Sequence, residues 1–475
     1  MKRKSIKSAT LLCSILAFPI LLLGCTKPNQ ETTTASTAET QITCSDTSFT
    51  IEGNGATSAG NILTIDDSGT YVLTGLLSDG RIIVDAGDND TIQLVLNGID
   101  ITCSDQAPIS VSNAKEVTIT LADGSENTVT DASEYSFASA EEDEPNAAIF
   151  SKDNLIIAGS GSLTVNANYC HGISSKDDLT ITGGTISVTS VEDSIRGKDL
   201  LEITDGNFII NAGDDAFNTD QDLVINGGSI QITECTEGLE GMNITINDGT
   251  INLKSSDDGI NAAGNETGDN TLSITGGTIL VDAAGDGIDA NGTISISGGK
   301  TTVFGPTNDG NGAIDYDKSF EITGGTLIAF GSSGMVQTPS ESSSQASLLL
   351  YFNSEQPAGT VFEIADAQSE QLISLSSEKA YRCVLVSSPA LTVGNSYRVT
   401  NASQPLCSIS LENMITSISE DGSGVQPKGG FGGGFGGGFG GGFGGEPGER
   451  PSGERPAMPP ENDQFPIPPD QDYLN

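Results

Sequence analysis

Between Asp153 and Ser340 the sequence repeats itself about every 22 residues. Successive copies read DDLTITGGTISVTSVEDSIRGK, DLLEITDGNFIINAGDDAFNTD, QDLVINGGSIQITECTEGLEG and TLSITGGTILVDAAGDGIDANG. A glycine ends a turn in each copy, at Gly161, Gly184, Gly206, Gly228, Gly249, Gly277, Gly299 and Gly325. A unit this short cannot enclose a core alone and must bury its apolar side against copies stacked on it.

Aligned on those glycines, the copies show apolar columns. One runs through Leu155/Ile157, Leu179/Ile181, Leu201/Ile203, Leu223/Ile225, Ile244/Ile246, Leu272/Ile274, Ile294/Ile296 and Phe320/Ile322. A second follows the glycine, at Leu163/Val165, Ile186/Val188, Phe208/Ile210, Ile230/Ile232, Ile251/Leu253 and Ile279/Val281. A third holds Ile173, Ile195, Phe217, Leu239, Ile260 and Ile288. Within each pair the apolar residues alternate, which sends two side chains inward per strand. Three short strands and three turns then make one coil. The fold expected is all-β: a right-handed parallel β-helix of about 22 residues per coil over residues 44–340, its first coils irregular. The insert at 131–147 reads as a mobile surface loop. Residues 341–420 lose the period and are expected to form a β cap or small β-domain closing the solenoid. Residues 421–475, with phenylalanine every fourth residue in a glycine run and then a proline-rich charged stretch, read as a disordered tail.

At the N-terminus, four cations precede the apolar segment LLCSILAFPILLLG. This is the pattern of a signal peptide, residues 1–24, too short for a membrane span. It ends in Leu22-Leu23-Gly24-Cys25, which resembles a bacterial lipobox and implies lipid on Cys25. Residues 25–43 read as the flexible tether, so the protein is expected on the extracytoplasmic face of a bacterial membrane. The formal net charge of −44 becomes −48 once the leader's four cations are gone. That excludes nucleic acid as a partner, since phosphate binding needs clustered Lys and Arg. The remaining cysteines, Cys44, Cys103, Cys170, Cys235, Cys383 and Cys407, show no zinc spacing and read as structural thiols. A monomer is expected.

The third apolar column lies inside a recurrent phrase of acid, small residue, apolar residue and polar residue. It reads Asp193-Ser194-Ile195-Arg196, Asp215-Ala216-Phe217-Asn218, Glu237-Gly238-Leu239-Glu240, Asp258-Gly259-Ile260-Asn261 and Asp286-Gly287-Ile288-Asp289. His171-Gly172-Ile173-Ser174 puts histidine in the acid slot. In a solenoid these carboxylates stand in file roughly 5 Å apart. Neighbours then repel by about 1 kcal/mol in water and ~3 kcal/mol at an effective dielectric of 20. Raised carboxylate pKa values, basic neighbours or metal ions relieve that cost. An all-oxygen donor set favours calcium. The candidate metal ligands are Asp193, Asp214, Asp215, Glu237, Glu240, Asp257, Asp258, Asp286 and Asp289, with Asn218 and Asn261 available to complete the shells. The competing reading makes the acids solvated turn residues. The nonapeptide calcium-roll motif does not occur at strict spacing.

The phrases GTYVLTGLLSDGRIIVDAG, NGIDITCSDQAPISV, GGTILVDAAGDGIDANGTISISGG and SYRVTNASQ together resemble the carbohydrate-binding family of bacterial surface lipoproteins with a polysaccharide-lyase-like right-handed β-helix. The resemblance spans roughly residues 45–410. It implies noncatalytic binding of cell-wall polysaccharide, cellulose or acidic pectic chains, with calcium held along the helix, and its acidic turns match Asp215, Asp258, Asp286 and Asp289 best. His171 and Arg196 depart from the pattern. Without tryptophan, any ring stacking on sugar falls to Tyr and Phe, with Tyr169 and Tyr316 the candidates. One alternative is a lyase acting on uronate polymers, for which Arg196 or Lys198 beside Asp193 and Asp215 is the only such cluster. The other is a purely structural surface protein.

Overall fold

The structure, a computed structural model, describes residues 39–139, 141–264 and 269–425. The leader, Cys25 and the Gly/Phe- and Pro-rich tail lie outside the described residues. All regular structure among the described residues is β, and it winds into a parallel β-helix. The coil of Leu200–Ile203, Asn207–Asn211 and Phe217–Asn218 is followed by one of Asp222–Ile225, Ser229–Glu234 and Leu239–Gly241. The two pair in parallel and in register, Leu201 on Leu223, Phe208 on Ile230 and Phe217 on Leu239. On the short-strand face, eleven parallel strands run from Ile62–Ile65 to Ile314–Tyr316, one for each of about eleven turns. The winding is right-handed, the hand that crossovers between parallel strands of one sheet take.

The three apolar columns meet in one interior. Leu201, Ile203, Ile210, Phe217, Leu223, Ile225, Ile232 and Leu239 are all fully buried there. Outward positions alternate with them, and many carry polar side chains that bond from coil to coil, as Asn247 Nδ2 does to Asn226 Oδ1 at 2.8 Å. The turn glycines have a steric reason. Gly299 sits at φ +74°, and a Cβ there would fall 2.5 Å from the Gly276 carbonyl oxygen one coil earlier. Only glycine takes that conformation without strain.

Both ends of the solenoid turn antiparallel. At the start, Ser48–Glu52 folds back on Thr40–Asp46, and Ala56–Ala59 on Ile62–Ile65. At the far end Tyr381–Ser387 runs antiparallel between Thr326–Gly331 and Ser347–Gln356. A separate four-stranded sheet of Gln371–Ser376, Val361–Asp366, Ser396–Asn401 and Gln404–Ser410 adds its own apolar core. Its docking is written in the outward columns of the last coils. The column Gln231, Asn252, Leu280, Thr302, Ile328 passes from polar to apolar, and the column Lys254, Asp282, Phe304, Phe330 does the same. Phe330 meets Phe362 and Tyr381 edge-on, and Lys379 Nζ lies 2.9 Å from Asp282 Oδ1. Residues 421–425 fold back on the last strand, with Val425 N–H donating to the Ser417 carbonyl at 3.0 Å.

The insert at 131–147 is tied down where the sequence suggests mobility. Asp131 is buried and accepts a hydrogen bond from Tyr135 Oη at 2.7 Å. Gln106 Nε2 donates to the Ser136 carbonyl at 2.6 Å. The six cysteines from Cys44 to Cys407 are free thiols, four of them buried.

Because neighbouring coils share one apolar column, a single truncation there is felt across three coils. Ile225→Ala is expected to cost about 2–5 kcal/mol. Thr245→Ala, at an outward position one coil on, is expected to stay within about 0.5 kcal/mol. Urea unfolding of both variants checks the contrast.

Candidate functional site

The turn that leads into each short strand of the third face carries the recurrent acid. Backbone bonds stack these turns: Ser194 N–H donates to Asp215 O, Ala216 N–H to Glu237 O, Gly238 N–H to Asp258 O and Gly259 N–H to Asp286 O. The small residue after each acid is required by close approach. A Cβ at Gly287 would collide with the Val303 side chain and the Ala313 carbonyl. The apolar residue that follows points into the core, and the polar residue after it points outward. That outward column runs Ser174, Arg196, Asn218, Glu240, Asn261, Asp289, Asp315 in unbroken register. Two columns, the turn acids and the outward polar residues, thus stand side by side.

They converge at two places. Asp215, Glu237 and Glu240 bring carboxylate oxygens within 4.8 Å of one another, as do Asp258, Asp286 and Asp289. An ion that takes oxygens at 2.3–2.6 Å can touch three such atoms at once. Of the expected ligands these six come together. Asp214 and Asp257 flank the clusters without joining them. Asp193 is buried and instead faces Arg196 Nη1 at 3.0 Å and His171 Nδ1 at 3.4 Å.

The asparagines complete the picture. Asn218 Nδ2 donates to Asp215 Oδ2 at 2.8 Å and also to Glu240 Oε2. Asn261 Nδ2 donates to Glu237 Oε2 on the preceding coil at 2.8 Å. Asp289 is its register partner on the following coil. Asn261 is 8% exposed, and its Oδ1 is buried without a hydrogen-bond partner. A buried acceptor without a donor costs on the order of 1–3 kcal/mol. The three carboxylates of the second cluster, with this amide oxygen on the same coil as Asp258, are all-oxygen donors of the kind a hard cation takes.

Burial pushes these carboxyls up. Asp215 rises to about 9, first from desolvation and then from Glu240 beside it. Glu237 and Asp289 rise to about 7 and Asp286 to about 6, each chiefly by desolvation with neighbouring carboxylates adding to it. Glu240 and Asp258 move in the same direction for the same leading reason. His171 moves down, mainly through burial, against the pull of Asp193.

Beside the first cluster Arg196, Asn218, Asp220, Glu240 and Met242 line an open groove of about 480 Å³. Arg196 spans it, with Nη2 2.8 Å from Asp220 Oδ1. The two expected ring platforms are both occupied in packing. Tyr169 stacks on Tyr135, centroids 4.1 Å apart and planes 14° from parallel, which covers one of its faces. Tyr316 donates its hydroxyl to the Thr338 carbonyl at 2.8 Å and meets Phe320 edge-on.

Comparison with known proteins places this solenoid in a class. The profile of a family described as carbohydrate-binding domain-containing proteins matches residues 59–222 and 216–348. Those matches span more than half of the chain, and the chain belongs to that family. A carbohydrate-binding domain-containing protein of Acetivibrio thermocellus is 46% identical over 124 residues, which are 26% of this chain and 43% of that protein. The chain thus matches less than half the length of this relative. A solved structure described as a polysaccharide lyase-like protein from C. thermocellum, as its gadolinium derivative, is 27% identical. The match covers 60% of this chain and 97% of that one, with a TM-score of 0.43.

The raised carboxyls make metal-free stability depend on pH. Their folded values lie above the unfolded values near 4, so protons bind the folded state more tightly. The stabilisation is whole below about pH 4 and is lost as pH rises through about 6, 7 and 9, the folded values of Asp286, of Glu237 and Asp289, and of Asp215. In chelator, the melting temperature is expected to fall steadily from about pH 5 to about pH 9. Asp215→Asn with Asp289→Asn is expected to flatten that slope.

Proposed function

We propose that this protein is a noncatalytic, calcium-dependent binder of cell-wall polysaccharide, cellulose or acidic pectic chains. In this reading it is held on the outer face of a bacterial membrane by lipid on Cys25. Membership of a carbohydrate-binding family supports the sugar half. The observation that carries the metal half is the second cluster: three converging carboxylates, with the unpartnered, buried Asn261 Oδ1 carried on the same coil as Asp258. Asp258, Asp286, Asp289 and Asn261 would hold one ion, and Asp215, Glu237 and Glu240 another. A bound divalent ion supplies positive charge that offsets the stacked carboxylates and can attract a uronate. Asn218 suits the same task, since half a turn of its amide exchanges donor for acceptor.

The chain's own residues do the rest. The stacked turns hold the acids in file, and the groove beside Glu240 leaves one cluster open to a chain lying along the solenoid. A lyase needs a base free to take a proton. Arg196 is committed to Asp193 and Asp220, which leaves Lys198 as the one of the two named residues that a lyase would have to use.

Retention on insoluble cellulose and on pectin is the direct test. Binding to at least one is expected with calcium and is expected to fall at least tenfold in chelator, and likewise in Asp258→Asn with Asp289→Asn. Equal retention with and without calcium would remove the ion from the reading, and no retention on either polymer would leave a structural surface protein. Release of unsaturated uronides would replace binding by lyase action. Separately, Cys25→Ser is expected to move the protein from the membrane fraction to the medium, as seen by fractionation.

A further inference from the structure

The acidic file has a period of two coils rather than one. Taken coil by coil, the turn residue and its outward partner are His171 and Ser174, Asp193 and Arg196, Asp215 and Asn218, Glu237 and Glu240, Asp258 and Asn261, Asp286 and Asp289. Grouped in twos, the second and third groups have one composition. Each has an acid with an asparagine on its first coil and two acids on its second. Those two groups are the two carboxylate clusters. Between them lies a seam closed within the protein, where Asn261 Nδ2 reaches back to Glu237.

The first group is the same arrangement with three of its four positions changed. His171 stands where Asp215 and Asp258 stand, Ser174 where the asparagines stand, and Arg196 where Glu240 and Asp289 stand. Only Asp193 keeps its acid. Each downstream group gathers three carboxylates, and among the described residues no Lys, Arg or His nitrogen lies within 4.0 Å of them. The first group gathers one carboxylate, a guanidinium 3.0 Å from it and an imidazole at 3.4 Å. Its one carboxylate is already paired with a cation that the protein itself supplies.

We propose that Arg196 is a resident cation: its guanidinium does for the first two-coil group what a bound divalent ion does for the two groups downstream. The file then takes two ions and ends at a protein-borne charge. This end also keeps its form when the ions leave. Arg196 Nη2 extends the tie to Asp220, on the coil after its own, so the guanidinium clips the first group to the coil that begins the first ion cluster. Arginine suits the role better than lysine does, because a planar fork can face two carboxylates at once. The inference rests on the cation reading above, and the tests separate the two.

The first measurement counts calcium per chain after stripping with chelator and reloading. The wild-type chain is expected to hold two ions, and Arg196→Glu combined with His171→Asp is expected to hold three. A wild-type chain that binds none defeats the cation reading itself. Two ions in both proteins defeat the resident-cation inference alone. The second measurement is the melting temperature in chelator, which applies even where the double variant does not fold. Arg196→Gln is expected to melt lower than wild type by at least about 3 °C, while Arg196→Lys recovers at least half of the difference. Equal losses in the two variants would show that packing of the guanidinium, and not its charge, is what the first group uses, and would overturn the proposal.

Discussion

In-register parallel stacking is the constraint on which the rest of this protein depends. Each coil sets its residues directly over those of the coil before, about 4.8 Å away. For Ile, Leu and Phe this is wholly favourable, because like stacks on like and water is squeezed from a continuous interior. For carboxylates the same geometry is costly, because unit charges are held near one another with one side turned from solvent. The fold cannot have one without the other. What distinguishes the third face is how the cost is met: by amides at Asn218 and Asn261, by raised carboxyl pKa values, by the guanidinium of Arg196, and in the proposed reading by cations.

Much of the candidate site was legible in the sequence. The acid, small, apolar, polar phrase names Asp215, Glu237, Glu240, Asp258, Asp286 and Asp289, and stacking alone says they form a file. Three things were harder to see. Which acids join was one: Asp214 and Asp257 sit beside the file in sequence yet outside both clusters in space. The role of Asn261 was another, since a side chain's orientation is decided by its partner on the preceding coil. The two-coil period was the third. It is present in the alternation of Asn218, Glu240, Asn261 and Asp289, but the long step around residues 264–270 hides it from simple alignment.

The ends of the solenoid follow the same logic from the other side. A parallel stack that stops leaves a row of unpaired backbone groups ready to add another chain. Here antiparallel strands close both ends, and at the far end a separate sheet covers the outward face as well. The apolar residues Leu280, Phe304, Ile328 and Phe330 stand in columns that are polar upstream. They mark where the outer surface becomes an internal one. The insert at 131–147 is a smaller case: its polar composition suggests a mobile loop, and one tyrosine hydroxyl on a buried aspartate ties it down.

By itself the sequence determined the coil, its length and its inward columns, because a period of about 22 residues with alternating apolar positions has one economical solution. It also placed an acid at the same point in successive coils. Only the tertiary structure decided what that acid meets. Asp193 faces a guanidinium while Asp258 joins two other carboxylates, though the two occupy the same slot of the repeat. The reason is physical: burial follows from the shape of the coil, which the repeat specifies, whereas the charge balance of a buried group depends on the neighbours brought in from the coils above and below.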